Sequence, residues 1–125
     1  MTKTAMTRDP NCPIRGILDR IGDRWSLLVL DSLVDGRQRF TEIKREIGDI
    51  SQRMLAQTLR HLEQDGFVSR TVYPTIPPRV DYELTPLGES LMEPVGALVE
   101  WAAANRTAVR TARENYVPPP AQVAL

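Results

Sequence analysis

The 125 residues hold one cysteine and one histidine. A lone cysteine closes no disulfide within the chain, and one of each is too little for a typical zinc site, so no metal or cofactor is expected. No stretch approaches the roughly 18 apolar residues of a membrane span. The opening MTKTAMTRDPN has no apolar run of signal-peptide length. The expected location is the cytoplasm, without a membrane partner. Catalytic patterns are missing too: there is no Ser/His/Asp constellation, glycine-rich phosphate loop, HExxH motif or carboxylate pair in a plausible cleft. Cys12 and His61 could in principle form a nucleophile and base, but they fall on different helices, so an enzyme is not expected. What remains is ordinary globular composition, 42% apolar and 26% charged, in a length that suits one domain.

Net charge is also lacking: 16 cationic side chains balance 16 anionic ones, which taken alone weighs against a nucleic-acid partner. Position along the chain changes that reading. Residues 37–79 carry eight cations (Arg37, Arg39, Lys44, Arg45, Arg53, Arg60, Arg70 and Arg79) against five anions. Residues 80–105 carry five anions and no Lys or Arg. Charge sorted in this way lets a near-neutral protein present one electropositive face to phosphate.

Periodicity gives the order of elements. Pro13 suits the first position of a helix, and Ile14, Ile17, Leu18 and Ile21 follow at helical spacing as far as Gly22. Asp23 is expected to cap a second helix whose face holds Trp25, Leu28, Val29 and Leu33, with Gly36 as its stop. Phe40 is expected to pair briefly with a later strand. Thr41 should then cap a short helix carrying Ile43 and Ile47, which Gly48 breaks.

The next helix, expected over 52–65, has the best-marked ends. Ser51 is its N-cap, Ile50 and Leu55 stand where a hydrophobic staple would, and Gly66 with Phe67 fits a Schellman stop. At 100° per residue Leu55, Leu59 and Leu62 form one stripe, with Arg53, Gln57, Arg60 and Gln64 opposite. Arginine forks match the paired acceptors of guanine and glutamine amides match adenine, so the polar stripe suits a major groove.

The run FVSRTVY, the loop PTIPP and the alternating RVDYEL read as a hairpin, with Arg79 beside the rigid Pro77–Pro78 for a minor groove or a phosphate. Thr85 and Pro86 open a last helix with the stripe Leu87, Leu91, Val95, Leu98 and Ala102, which Pro94 is expected to kink or divide. The tail from Arg106, with Pro118, Pro119 and Pro120, is expected to be frayed or extended. The fold class is mainly α with a small β-hairpin wing, a winged helix-turn-helix. A wing-bearing module that only mediates protein contacts is the bland alternative.

The segments CPIRGILDRIGDRWSLLVLDSLVDG (12–36) and RFTEIKREIGDISQRMLAQTLRHLEQDGFVSRTVYPTIPPRVDYELTPLGESL (39–91), with Glu100 and Trp101, resemble the HxlR-type branch of bacterial winged-helix regulators, relatives of the MarR family. The resemblance implies a domain over 12–105, between a flexible arm (1–11) and an extension (106–125). It implies a homodimer on palindromic double-stranded DNA in a family that includes repressors and activators, and a repressor is expected here. The candidate DNA-binding residues are Thr41, Ser51, Gln52, Arg53, Ala56, Gln57, Arg60 and Arg79.

For the dimer interface the candidates are Ile14, Ile17, Val95, Leu98 and Trp101, since a small domain with apolar helices at both ends lacks partner surface for all of them. Packing within one core is the other possibility. Cys12, at an N-cap before Pro13 and one turn from Arg15, has surroundings that favour thiolate. The resemblance implies redox or electrophile sensing there. A symmetric Cys12 link, a mixed disulfide with a small thiol, or alkylation would serve, and the alternative is a cysteine that only caps or packs while an aromatic or other effector acts elsewhere.

Overall fold

A computed structural model describes residues 13–121. The chain divides into two compact units between Glu93 and Pro94. The first holds helices α1 (Pro13–Ile21), α2 (Ser26–Ser32), α3 (Phe40–Ile47) and α4 (Gln52–Gln64), and strands β1 (Gln38–Arg39), β2 (Val68–Tyr73) and β3 (Arg79–Leu84). Helix α5 (Pro86–Ala104) begins in the first unit and ends in the second, where α6 (Arg106–Glu114) follows. The architecture is the mainly helical winged fold with a small antiparallel sheet, ordered β1-β3-β2. No helix among the described residues is long and apolar enough to cross a membrane.

The core explains the layout. Val29, Leu30 and Leu33 from the α2 region, Ile43 of α3, and Leu55, Leu59 and Leu62 of α4 are at most 1% exposed and form one cluster with Ile50, Phe67 and Val68. Truncating such residues costs about 2–5 kcal/mol each, so this cluster fixes how α3 and α4 stand against α2. Helix α2 starts later than the sequence suggests. Asp23 Oδ1 accepts from the backbone N–H groups of Trp25 (2.8 Å) and Ser26 (2.7 Å), but these bonds close a turn that precedes the helix, and Trp25, not Asp23, occupies the N-cap position. Burial raises the Asp23 carboxyl, and the bonds from Ser26 and Trp25 outweigh it, leaving the group below the usual carboxylate range. Its expected face is also corrected: Leu28 is 47% exposed, and Leu30 takes the buried position.

Helix α3 corrects the capping assignment. Arg39, not Thr41, occupies the N-cap position, and its backbone N–H donates to the Glu42 carboxylate at 3.2 Å. The reason is β1, which pairs Gln38 with Tyr82 and Arg39 with Asp81, so the chain leaves the sheet directly into the helix at Phe40. Phe40 itself is helical. Pro94 does not divide α5, which runs through it as one helix of 19 residues. The extension expected to fray is helical from Arg106 to Glu114, because RTAVRTARE is rich in alanine and arginine, strong helix formers, and the prolines come only after it.

The start of α5 is set by a close approach. Thr85 Oγ1 accepts from the Gly88 N–H at 3.0 Å and donates to the Gly66 carbonyl. A Cβ placed on Gly88 would lie 2.1 Å from the Phe67 carbonyl oxygen, so only glycine fits there.

Candidate nucleic-acid interface

The α3–turn–α4 pair carries the expected reader, and both ends of α4 are built as its sequence indicates. Ser51 Oγ accepts the Met54 N–H at 3.0 Å. At the other end Gly66, at φ +82°, lets its N–H reach the Glu63 carbonyl (3.1 Å) and the Phe67 N–H reach Leu62 (3.0 Å), the two bonds of a Schellman stop. Replacing Ser51 with alanine should lower stability by about 1 kcal/mol, read as a shifted denaturant midpoint at unchanged slope.

With Leu55, Leu59 and Leu62 buried behind it, the opposite stripe is open: Gln52, Arg53, Gln57, Arg60 and Gln64 are exposed and Ala56 is half-buried. Thr41 and Ser51, at the starts of α3 and α4, are exposed as well. Electrostatics separates these arginines from the others. Arg20 pairs with Asp65, Arg37 with Glu83 (3.2 Å), Arg70 with Glu63 (3.6 Å) and Arg79 with Asp81 (2.9 Å). Among the described residues Arg53 and Arg60 form no ion pair, and neither do Lys44 and Arg45 of α3. The unpaired cations of this segment are therefore gathered on the helix-turn-helix.

The wing differs from its expectation in one respect. Arg79 is not free at the tip. It is the first residue of β3, and its Nε and Nη2 donate to Asp81 Oδ1 (2.9 Å) and Oδ2 (3.0 Å) while its guanidinium lies over the Tyr73 ring. Asp81, which strand alternation places with the polar set, is 1% exposed. The Arg79 hydrogen bonds, with Arg37 also near, hold its carboxyl below the usual carboxylate range.

Asp81 adds stability that is complete above its ordinary unfolded pKa, near 3.9. That contribution is lost as pH falls from there through the lower folded value. Acid unfolding below about pH 4 should accordingly be steeper in the native chain than in Asp81→Asn, followed by circular dichroism.

The wing tip also exposes Ile76 completely, at 101%. A single isoleucine within PTIPP belongs to no periodic pattern, so only its position at the turn singles it out.

Among the interface candidates, Ile14 is half-buried, Ile17 is 48%, Leu98 55% and Trp101 59% exposed, and Val95 is 5% exposed. The alternative, in which these residues pack within one core, is thus not seen for Ile17, Leu98 or Trp101 within a single chain. Cys12 lies outside the described residues.

The comparisons agree with this geometry. The sequence profile of the HxlR-like helix-turn-helix family matches residues 20–110. The chain is 47% identical over 104 residues to the uncharacterized HTH-type transcriptional regulator YtfH of Escherichia coli (strain K12), covering 83% of this chain and 82% of that one. Among solved structures, the redox regulator HypR in its reduced form superposes with a TM-score of 0.74 at 40% identity, covering 79% of this chain and 98% of that one. The reduced form of the transcriptional regulator YodB from B. subtilis gives 0.65 at 40% identity, over 73% and 90% of the two chains. With its helix-turn-helix and wing in place, the chain belongs to the HxlR-like helix-turn-helix family of DNA-binding transcriptional regulators.

Proposed function

We propose that this regulator is a homodimeric repressor that reads a palindromic operator through Arg53, Gln57 and Arg60 of α4, with Cys12 as a sensor of electrophiles or oxidants. The observation that carries the reading is the exposed Arg/Gln stripe of α4, whose arginines have no ion pair among the described residues. Gln52 and Ala56 flank that stripe, Thr41 and Ser51 supply hydroxyls for phosphate contact, and Arg79 adds a wing contact to the backbone. The exposed Ile17, Leu98 and Trp101 support a second copy as the surface that covers them. Half-sites would then lie about one helical turn, roughly 34–36 Å, apart or a multiple of it. For the sensor, the support is the resemblance to HypR, whose solved forms include a reduced and an oxidised one.

In vitro selection from random duplex DNA, with reduced and with diamide-treated protein, tests the three parts together. The expected result is an inverted-repeat consensus whose affinity changes on oxidation in the native chain and not in Cys12→Ser. A single half-site with a monomer mass in sedimentation counts against the dimer. Operator affinity that ignores oxidation, with a Cys12 thiol titrating near 8.5, removes the sensor. Affinity should also fall with salt by about 0.9 log units per log unit for each neutralised phosphate.

A further inference from the structure

The wing ends in a tip that holds one apolar side chain outward. Within PTIPP, Ile76 is fully exposed between two tied residues: Thr75 Oγ1 donates to the Pro77 carbonyl at 2.8 Å, and the Thr75 N–H donates to the Tyr73 carbonyl at 2.8 Å. The rings of Pro77 and Pro78 fix φ, and a β-branched side chain has few rotamers to lose. Ile76 is therefore presented at small entropic cost to whatever it meets. The tip also has a defined place in the first unit. Pro77, Pro78 and Arg79 line a cleft of about 250 Å³ with Arg39, Phe40 and Thr41, where the helix-turn-helix begins.

Size and charge decide what covers it. One isoleucine among prolines is too small for a stable protein interface, which buries about 800 Å² on each partner, and a membrane surface is bound by a broad apolar face. The gap between two base pairs takes one such side chain, and a minor groove about 6 Å wide admits a narrow tip. The surroundings suit phosphate: residues 74–79 carry no Asp or Glu, and the buried Asp81 behind them is matched by Arg79 and Arg37. We infer that Ile76 is a wedge that enters the minor groove beside the bases read by α4, parts one base step in each half-site and bends the duplex. This rests on the DNA-reading proposal and adds to it a sequence preference made without hydrogen bonds. Pyrimidine–purine steps, which unstack most easily, are favoured where Ile76 enters.

The test uses the full chain and the duplex it enriches from random DNA, labelled at both ends so that energy transfer reports bending. The native complex should be bent by about 20–90°. Replacing the flanking pyrimidine–purine step with AA should weaken native binding about tenfold, the size of one mismatched pair. Ile76→Ala should lose the bend and bind both flanks equally while keeping its base preference under α4, and Ile76→Leu should retain bend and flank preference. Circular dichroism should show both variants folded, since the side chain they change is exposed. A straight native complex, or a bend that Ile76→Ala keeps, overturns the wedge and leaves the α4 reader standing. A straight complex together with an Ile76-dependent gain of mass in sedimentation assigns the tip to a protein contact instead. Enrichment of no duplex overturns the DNA-reading proposal, and the wedge with it.

Discussion

Replacing Arg53 with alanine should weaken binding to the selected operator by about 1–3 kcal/mol, roughly 5- to 150-fold, and relax base preference at one position of each half-site. The size follows from what Arg53 offers: an exposed guanidinium on the outer stripe of α4 with no carboxylate partner among the described residues to break first. Arg79→Ala should behave differently. That guanidinium is already bound to Asp81 through two nitrogens, so its loss should lower affinity more evenly across sequences. Competition binding against the operator and its single-base variants separates the two patterns. An Arg53→Ala chain that kept both affinity and base preference would remove the assigned reader.

The second large effect is on stability. Gly88→Ala places a methyl group 2.1 Å from the backbone carbonyl oxygen of Phe67, and a backbone atom cannot rotate aside as a flexible side chain can. Either α5 shifts or the turn after α4 does, and that turn holds the Schellman bonds of Gly66 and Phe67. The expected cost is about 3 kcal/mol, at the upper end of overpacking effects, or a melting temperature lower by roughly 10 °C. Thermal unfolding followed at 222 nm checks it. Gly16→Ala is the control, since nothing lies within 4 Å of a Cβ there.

Much of the fold was legible because local chemistry and tertiary packing agreed. Ser51, Gly66 and the Leu55–Leu59–Leu62 spacing defined α4 before any neighbour was known, and the burial of those leucines leaves the Arg/Gln stripe outward by the geometry of a helix alone. The hairpin was legible for the same reason, its β-branched runs and proline loop pairing Val68 with Leu84 through to Tyr73 with Arg79. The misplacements cluster where a distant partner decides. Thr41 lost the cap to Arg39 because β1 joins a strand some forty residues later. Leu28 and Leu30 exchanged roles because the buried stripe of the α2 region runs through Ser26, Val29, Leu30 and Leu33, and a pattern of apolar letters passes over its serine.

Residue type and spacing determined by themselves that this is a winged helix-turn-helix with an arginine- and glutamine-bearing outer stripe on α4, because helix ends, strand alternation and the amphipathic stripe are written within a few residues of one another. Which cations remain available to a ligand was decided only in three dimensions. Arg79 and Arg53 look equivalent as letters, yet one is bound to a buried aspartate and the other stands free of any ion pair among the described residues. An ion pair depends on the separation of two groups in space, and that separation follows from packing.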